Sequence, residues 1–93
     1  MIDEETTASI QAILNEHFTK GEKYFIFGSA LKTKNFSDID IAIQNLKNPK
    51  ALNQAKEALE NSSIPYKIDL IDFDKTDKSF QTKILNQKIL WLT

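Results

Sequence analysis

The chain has no cysteine and no arginine, and only two glycines and two prolines in 93 residues. Without cysteine there can be no disulfide scaffold, no thiolate nucleophile and no Cys-ligated zinc or iron–sulfur site, and a reducing cytoplasm is the expected setting. So little glycine and proline beside 41% hydrophobic residues excludes low-complexity and intrinsically disordered chains. No apolar run approaches the ~18 residues of a membrane helix. The opening MIDEETTAS is acidic rather than basic, so neither a signal peptide nor a membrane contact is expected. With arginine absent, all twelve basic residues are lysines, and a bound anion must be met by point charges and backbone N–H groups rather than by a guanidinium fork. A chain of this size buries roughly 60–65% of its unfolded surface, which suffices for one domain over residues 1–93 and leaves no room for two.

The net charge of −1 conceals an uneven distribution. Residues 1–19 carry four acids and no lysine, residues 20–50 carry six lysines against three acids, and residues 51–93 balance at six each. The positive excess is confined to the middle third. That pattern suits local anion binding better than the broad basic face of a nucleic-acid binder, so stable nucleic-acid binding is not expected.

Hydrophobic periodicity divides the chain into alternating elements. Ile10, Ile13, Leu14 and Phe18 recur at helical spacing between a capping Asp3 and about Lys20, with Gly21 as the stop. Lys23 to Phe27 (KYFIF) reads as a buried strand that meets a turn at Gly28. Asp38 to Gln44 (DIDIAIQ) alternates with period two, sending Ile39, Ile41 and Ile43 to one face and Asp38 and Asp40 to the other. Pro49 opens a helix to about Asn61 whose buried side carries Leu52, Ala55 and Leu59. Tyr66 to Phe73 (YKIDLIDF) is a third strand, Asp77 caps a helix to about Asn86, and Lys88 to Leu92 (KILWL) is a short last strand or extended tail. The expected class is therefore α/β (α+β): a small mixed sheet of about four strands with helices packed on it. Phe18, Tyr24, Phe80 and Trp91 are expected in the core, and His17 on the first helix as a surface or packing residue. Phe36 and Tyr66 each precede a strand and could line a pocket.

Asp38 and Asp40, at i and i+2 on a strand, project from one face roughly 6.5–7 Å apart. Taken alone, such a pair is also what the solvent face of an edge strand looks like. Adjacent carboxylates repel, and a divalent ion would relieve the repulsion; oxygen ligands with no histidine or cysteine nearby favour Mg²⁺ or Mn²⁺. Asp69 stands inside the apolar run Ile68 to Ile71, where an unpaired charge is costly, so it too needs a reason. Upstream, Gly28 and Ser29 end a buried strand before a loop with Lys32 and Lys34, a turn whose free N–H groups could receive a phosphate, especially if a helical turn starts there.

FGSALKTKNFSDIDIAI (Phe27–Ile43) followed by YKIDLIDFD (Tyr66–Asp74) resembles the minimal nucleotidyltransferases of the DNA polymerase β-like superfamily. Their pattern is a strand ending in Gly-Ser, then (Ser)-Asp-x-Asp, then a third aspartate on a later strand. The resemblance implies the nucleotidyltransferase fold, with Gly28, Ser29, Lys32 and Ser37 at the nucleotide, Asp38 and Asp40 on two metal ions, and Asp69 as the third carboxylate, a metal ligand that also helps activate the attacking hydroxyl. Asp72 is the rival for that third place, but Asp69 sits in the hydrophobic–Asp–hydrophobic setting the family uses. The chain departs from the family after Gly28-Ser29, where Ala30, Leu31 and Lys32 replace the arginine or aromatic and glycine common there.

The activity so implied is transfer of a nucleotide, AMP from ATP or another NTP, to a hydroxyl of a partner protein. The partner would be a helical HEPN protein encoded nearby, with this chain as antitoxin; homo- or hetero-oligomers are both open to it. The competing expectation keeps the fold and drops the catalysis: a subunit that silences its partner by contact alone, with KILWL as a docking strand.

Overall fold

A computed structural model describes residues 1–93. Helix α1 (Glu4–His17) is capped by Asp3, whose side chain accepts the Thr6 N–H at 2.7 Å. It ends earlier than the sequence suggests. Phe18 leaves the helix in an extended conformation and turns inward, 5.8 Å from the Tyr24 ring, while Gly21, at φ 86°, makes the bend into the first strand.

Strand β1 (Lys23–Phe27) is followed by the 3₁₀ turn Ser29–Leu31 and strand β2 (Asp38–Gln44). Helix α2 (Pro49–Glu60) starts at a capping Asn48 with Pro49 in the first turn, where a missing N–H costs nothing. Strand β3 (Lys67–Asp72), helix α3 (Lys78–Leu85, capped by Asp77) and the two-residue strand β4 (Leu90–Trp91) complete the chain.

The sheet order is β3-β2-β1-β4. β1 pairs antiparallel with β2 and with β4, whereas β2 and β3 run parallel across the α2 crossover. The sheet is therefore mixed, and β2 lies in its interior, which removes the edge-strand explanation for Asp38 and Asp40.

Each face of the sheet has its own apolar cluster. Ile39, Ile41 and Ile43 are fully buried with Ile10 and Leu14 of α1 and Ala55 and Leu59 of α2 in a cluster of 14 buried residues. On the other face Phe25, Phe27, Ala42, Phe73 and Ile84 form a smaller cluster under α3. Tyr24 and Phe18 are core aromatics as expected, and Phe80 is half-buried against Phe27. Trp91 is not in the core: at the short β4 edge it packs edge-on against Phe25 and remains 43% exposed, because no further strand covers that side. His17 is half-buried, and its Nδ1 donates to the Ile13 carbonyl at 2.9 Å, a helix-packing role. No helix is long and apolar enough to cross a membrane.

Candidate active site

The site begins where β1 stops. Gly28 has φ 87° and ψ −154°, a conformation essentially restricted to glycine. A Cβ added there would lie 2.7 Å from Asp40 Oδ2, so the glycine also clears the space this carboxylate occupies. A helical turn does start at Ser29: Leu31 N–H donates to the Gly28 carbonyl, and Lys32 and Thr33 N–H both donate to that of Ser29. Ala30 and Leu31 are buried, and the Ala30 carbonyl accepts the Ile2 N–H at 2.9 Å, so the turn is anchored from below while Ser29 stays exposed.

Strand register supplies the rest. Phe27 pairs with Asp40 and Asp40 with Asp69, so these three form one row across β1, β2 and β3. Asp38 pairs with Lys67 in the next row but one, on the same face. Asp38, Asp40 and Asp69 thus share a single face of the sheet, although no three acidic side chains converge as they stand into a set that could hold an ion.

Their proximity is nevertheless felt. Burial holds the half-buried Asp40 carboxyl above its ordinary range, and the negative charges of Asp69 and then Asp38 push it further up. Asp69 is exposed rather than sealed in an apolar run: β3 is the sheet's edge, and only its inner positions, such as Leu70, are buried. Asp72 faces the opposite side, paired with Ile43, and one of its carboxylate oxygens is buried without a hydrogen-bond partner. A half-buried carboxylate repelled by two others, with only oxygen donors about it, fits a hard divalent cation such as Mg²⁺ or Mn²⁺.

Asp40 and Asp69 line a cleft of about 710 Å³ along β3, bounded by Phe27 and Phe80 on the carboxylate side and by Lys56 and Leu59 of α2 on the other. Lys67 also lines it. Sequence reasoning passed over this lysine, and only the β2–β3 register sets it opposite Asp38. Lys32, by contrast, is exposed outside the cleft, where its Nζ donates to Gln87 Oε1 at 3.1 Å. Ser37 is exposed just before β2, and its carbonyl accepts the Lys67 N–H at 3.3 Å, which sets the start of the parallel pair. Of the two aromatics that precede a strand, Tyr66 lines the cleft, and the Phe36 ring stacks on it at 4.6 Å.

Comparison with known proteins follows the same lines. The family described as "Polymerase beta, Nucleotidyltransferase" matches residues 8–92. Among curated proteins no relative matches. Among solved structures, the chain is similar to one of a tri-AMPylated HEPN toxin in complex with an MNT antitoxin from Shewanella oneidensis, with a TM-score of 0.74 and 21% identity, covering 99% of this chain and 72% of that one. A toxin–antitoxin MntA–HpeT mutant, in which two aspartates two positions apart are each replaced by glutamate, matches at TM-score 0.74 and 20% identity over 94% of this chain and 71% of that one. A further Shewanella oneidensis structure matches at TM-score 0.72 and 20% identity, over 99% and 74%.

Proposed function

The chain belongs to the polymerase beta nucleotidyltransferase family, and from that membership we propose that it is a metal-dependent nucleotidyltransferase that moves a nucleotide, AMP from ATP, onto a hydroxyl of a HEPN-type partner and so acts as its antitoxin. The observation that carries the reading is the row Phe27–Asp40–Asp69, with Asp38 on the same face and Gly28 cleared for the central carboxylate. The tri-AMPylated toxin bound to one structural neighbour, and the paired aspartates altered in another, support it from outside.

In this reading Gly28 and Ser29 receive the triphosphate at the turn, with Ser37 and Lys32 at its margin. Asp38 and Asp40, with Asp69 as the third ligand, would hold the divalent ions, which when bound would neutralise phosphate charge and lower the pKa of the acceptor hydroxyl. Asp69, the exposed member of the row, faces the acceptor and takes its proton as the hydroxyl oxygen bonds to the α-phosphorus. The bond from the α-phosphorus to the bridging oxygen breaks in line, and pyrophosphate leaves. The carboxylates therefore hold the ions and take up the acceptor proton, and no side chain forms a covalent intermediate.

The experiment is incubation with α-labelled ATP, Mg²⁺ and the HEPN protein encoded beside it. Label is expected on the partner, and it should vanish with Asp38→Asn or Asp40→Asn. Exposure of Leu90 at 37% and Trp91 at 43% on the β4 edge supports the contact-only alternative. Full neutralisation of the partner by the Asp38→Asn/Asp40→Asn double variant would favour it.

A further inference from the structure

Among its paired strand positions, the sheet face that carries the three carboxylates has one cation beside them. Lys67 pairs with Asp38 and stands two positions before Asp69, so its side chain projects from the same face. Its N–H donates to the Ser37 carbonyl at 3.3 Å, which ties the residue to the chain just ahead of Asp38. The other lysine at a paired position of that face, Lys23, lies opposite Gln44 at the far end of β2, roughly 13 Å along the strand from Asp40.

Reach and charge both make a phosphate the group this cation meets. An aspartate carboxylate stands a single methylene from its backbone, whereas the lysine ammonium rides on a flexible four-carbon stem. Neighbouring strands are about 4.7–4.9 Å apart, so the ammonium can rise past the Asp38 carboxylate to the level of a ligand on the far side of an ion held there. Three carboxylates and a triphosphate carry more negative charge than two divalent ions offset, and with no arginine in the chain the balance falls to lysine. Lys32 is outside the cleft and bonded to Gln87, while Lys67 lines it. Lys56 lines it too, but from α2, on the flank away from the carboxylates.

We propose that Lys67 binds the phosphate that is transferred: its ammonium donates to a non-bridging oxygen of the nucleotide's α-phosphate. The proposal rests on the transferase reading above and adds a substrate-binding residue to its site. With the triphosphate received at the turn after β1 and the acceptor at Asp69 on β3, the α-phosphorus lies between them, over β2 and beside Lys67. The ammonium offsets negative charge on the non-bridging oxygens while the bond to the acceptor forms and the bond to pyrophosphate breaks. It acts as a point charge, the means left to a chain without a guanidinium fork.

Lys67→Met removes the charge and keeps most of the stem, and Lys56→Met makes the same change on the other flank of the cleft. Both lysines are exposed, so both variants should melt with the parent. Binding is read by calorimetry with the Mg²⁺ complex of the α,β-methylene analogue of ATP, and transfer by label from α-labelled ATP on the HEPN partner. Lys67→Met is expected to weaken analogue binding and to slow transfer at saturating ATP, each by about tenfold or more, the size of one lost charge-assisted hydrogen bond. Lys67→Arg should recover most of both, and Lys56→Met should stay within about twofold of the parent on this scale. Mn²⁺ binding without nucleotide should be unchanged or tighter in Lys67→Met, because a positive charge beside the carboxylates is gone. Loss of Mn²⁺ affinity instead overturns the proposal, by making the lysine an organiser of the carboxylates. Analogue binding and transfer that survive Lys67→Met, or fall equally in Lys56→Met, also overturn it and leave the transferase reading intact. If the parent binds the analogue but labels nothing, the transferase reading fails and takes the role of Lys67 in transfer with it.

Discussion

Strand β2 is two surfaces in one element. Ile39, Ile41 and Ile43 point into the α1–α2 layer and are fully buried, whereas Asp38, Asp40 and Ala42 point to the face covered only in part by α3. On the first face the side chains agree with one another: each is apolar, β-branched and packed. On the second they conflict, because Asp40 is half-buried next to two further negative charges. A fold under selection for stability alone would put apolar residues on both faces of an interior strand. The difference teaches where stability is made and where it is given up for chemistry.

The largest expected effect that would break this comparison is on the rate. Asp40→Asn should reduce nucleotide transfer by about a thousandfold or more, the scale of losing a charged group that organises the transition state. The same variant should melt slightly higher than the parent at neutral pH. The folded chain holds the Asp40 proton more tightly than the unfolded chain, so the benefit of protonation is fully present below the ordinary value of 3.8 and is lost as pH rises through the raised folded value. The gap in melting temperature between parent and variant should therefore be present at pH 7 and close on acidification below 3.8. A variant that melts lower at pH 7 would mean that Asp40 is a structural residue.

Ile41→Ala tests the opposite face. Its side chain is fully buried, and its truncation should cost about 2–5 kcal/mol in chemical denaturation, with the transfer rate per folded molecule nearly unchanged. Gly28→Ala sharpens the comparison by touching both properties. The imposed backbone conformation should cost about 1–3 kcal/mol, and the new Cβ would displace Asp40 Oδ2, so activity should fall beyond what the lost stability explains. The smallest effect is expected for Lys32→Ala. Because its amino group is exposed and bonded to Gln87, stability should move by less than about 0.5 kcal/mol, with a modest weakening of ATP binding by calorimetry.

Much of this was legible in the residues themselves. Strands Lys23–Phe27 and Asp38–Gln44 stand where alternation and the Gly28 stop put them, and the caps Asp3 and Asp77 hold the helices they announce. Three positions apart on one strand, Asp69 and Asp72 fall on opposite faces by the period of two, in agreement with their partners Asp40 and Ile43. What alternation cannot supply is register between strands far apart in the chain. Lys67 opposite Asp38, and Asp69 in a row with Asp40, depend on how the α2 crossover returns the chain. Lys32 reaching Gln87, 55 residues later, depends on where α3 ends. Trp91 reads as core because it is an aromatic at a position that suits a strand; its exposure reflects a place on the sheet's other edge, which no local pattern encodes.

The most direct test of the central claim, that one sheet face is the metal and nucleotide site, is paramagnetic broadening of backbone amide signals by substoichiometric Mn²⁺. Broadening centred on Gly28, Asp38, Asp40 and Asp69, sparing Ile10 and Leu14 on the far side and abolished by Asp40→Asn, is the predicted result. Broadening centred instead on the acidic run Asp3 to Glu5, or unchanged by Asp40→Asn, would contradict it.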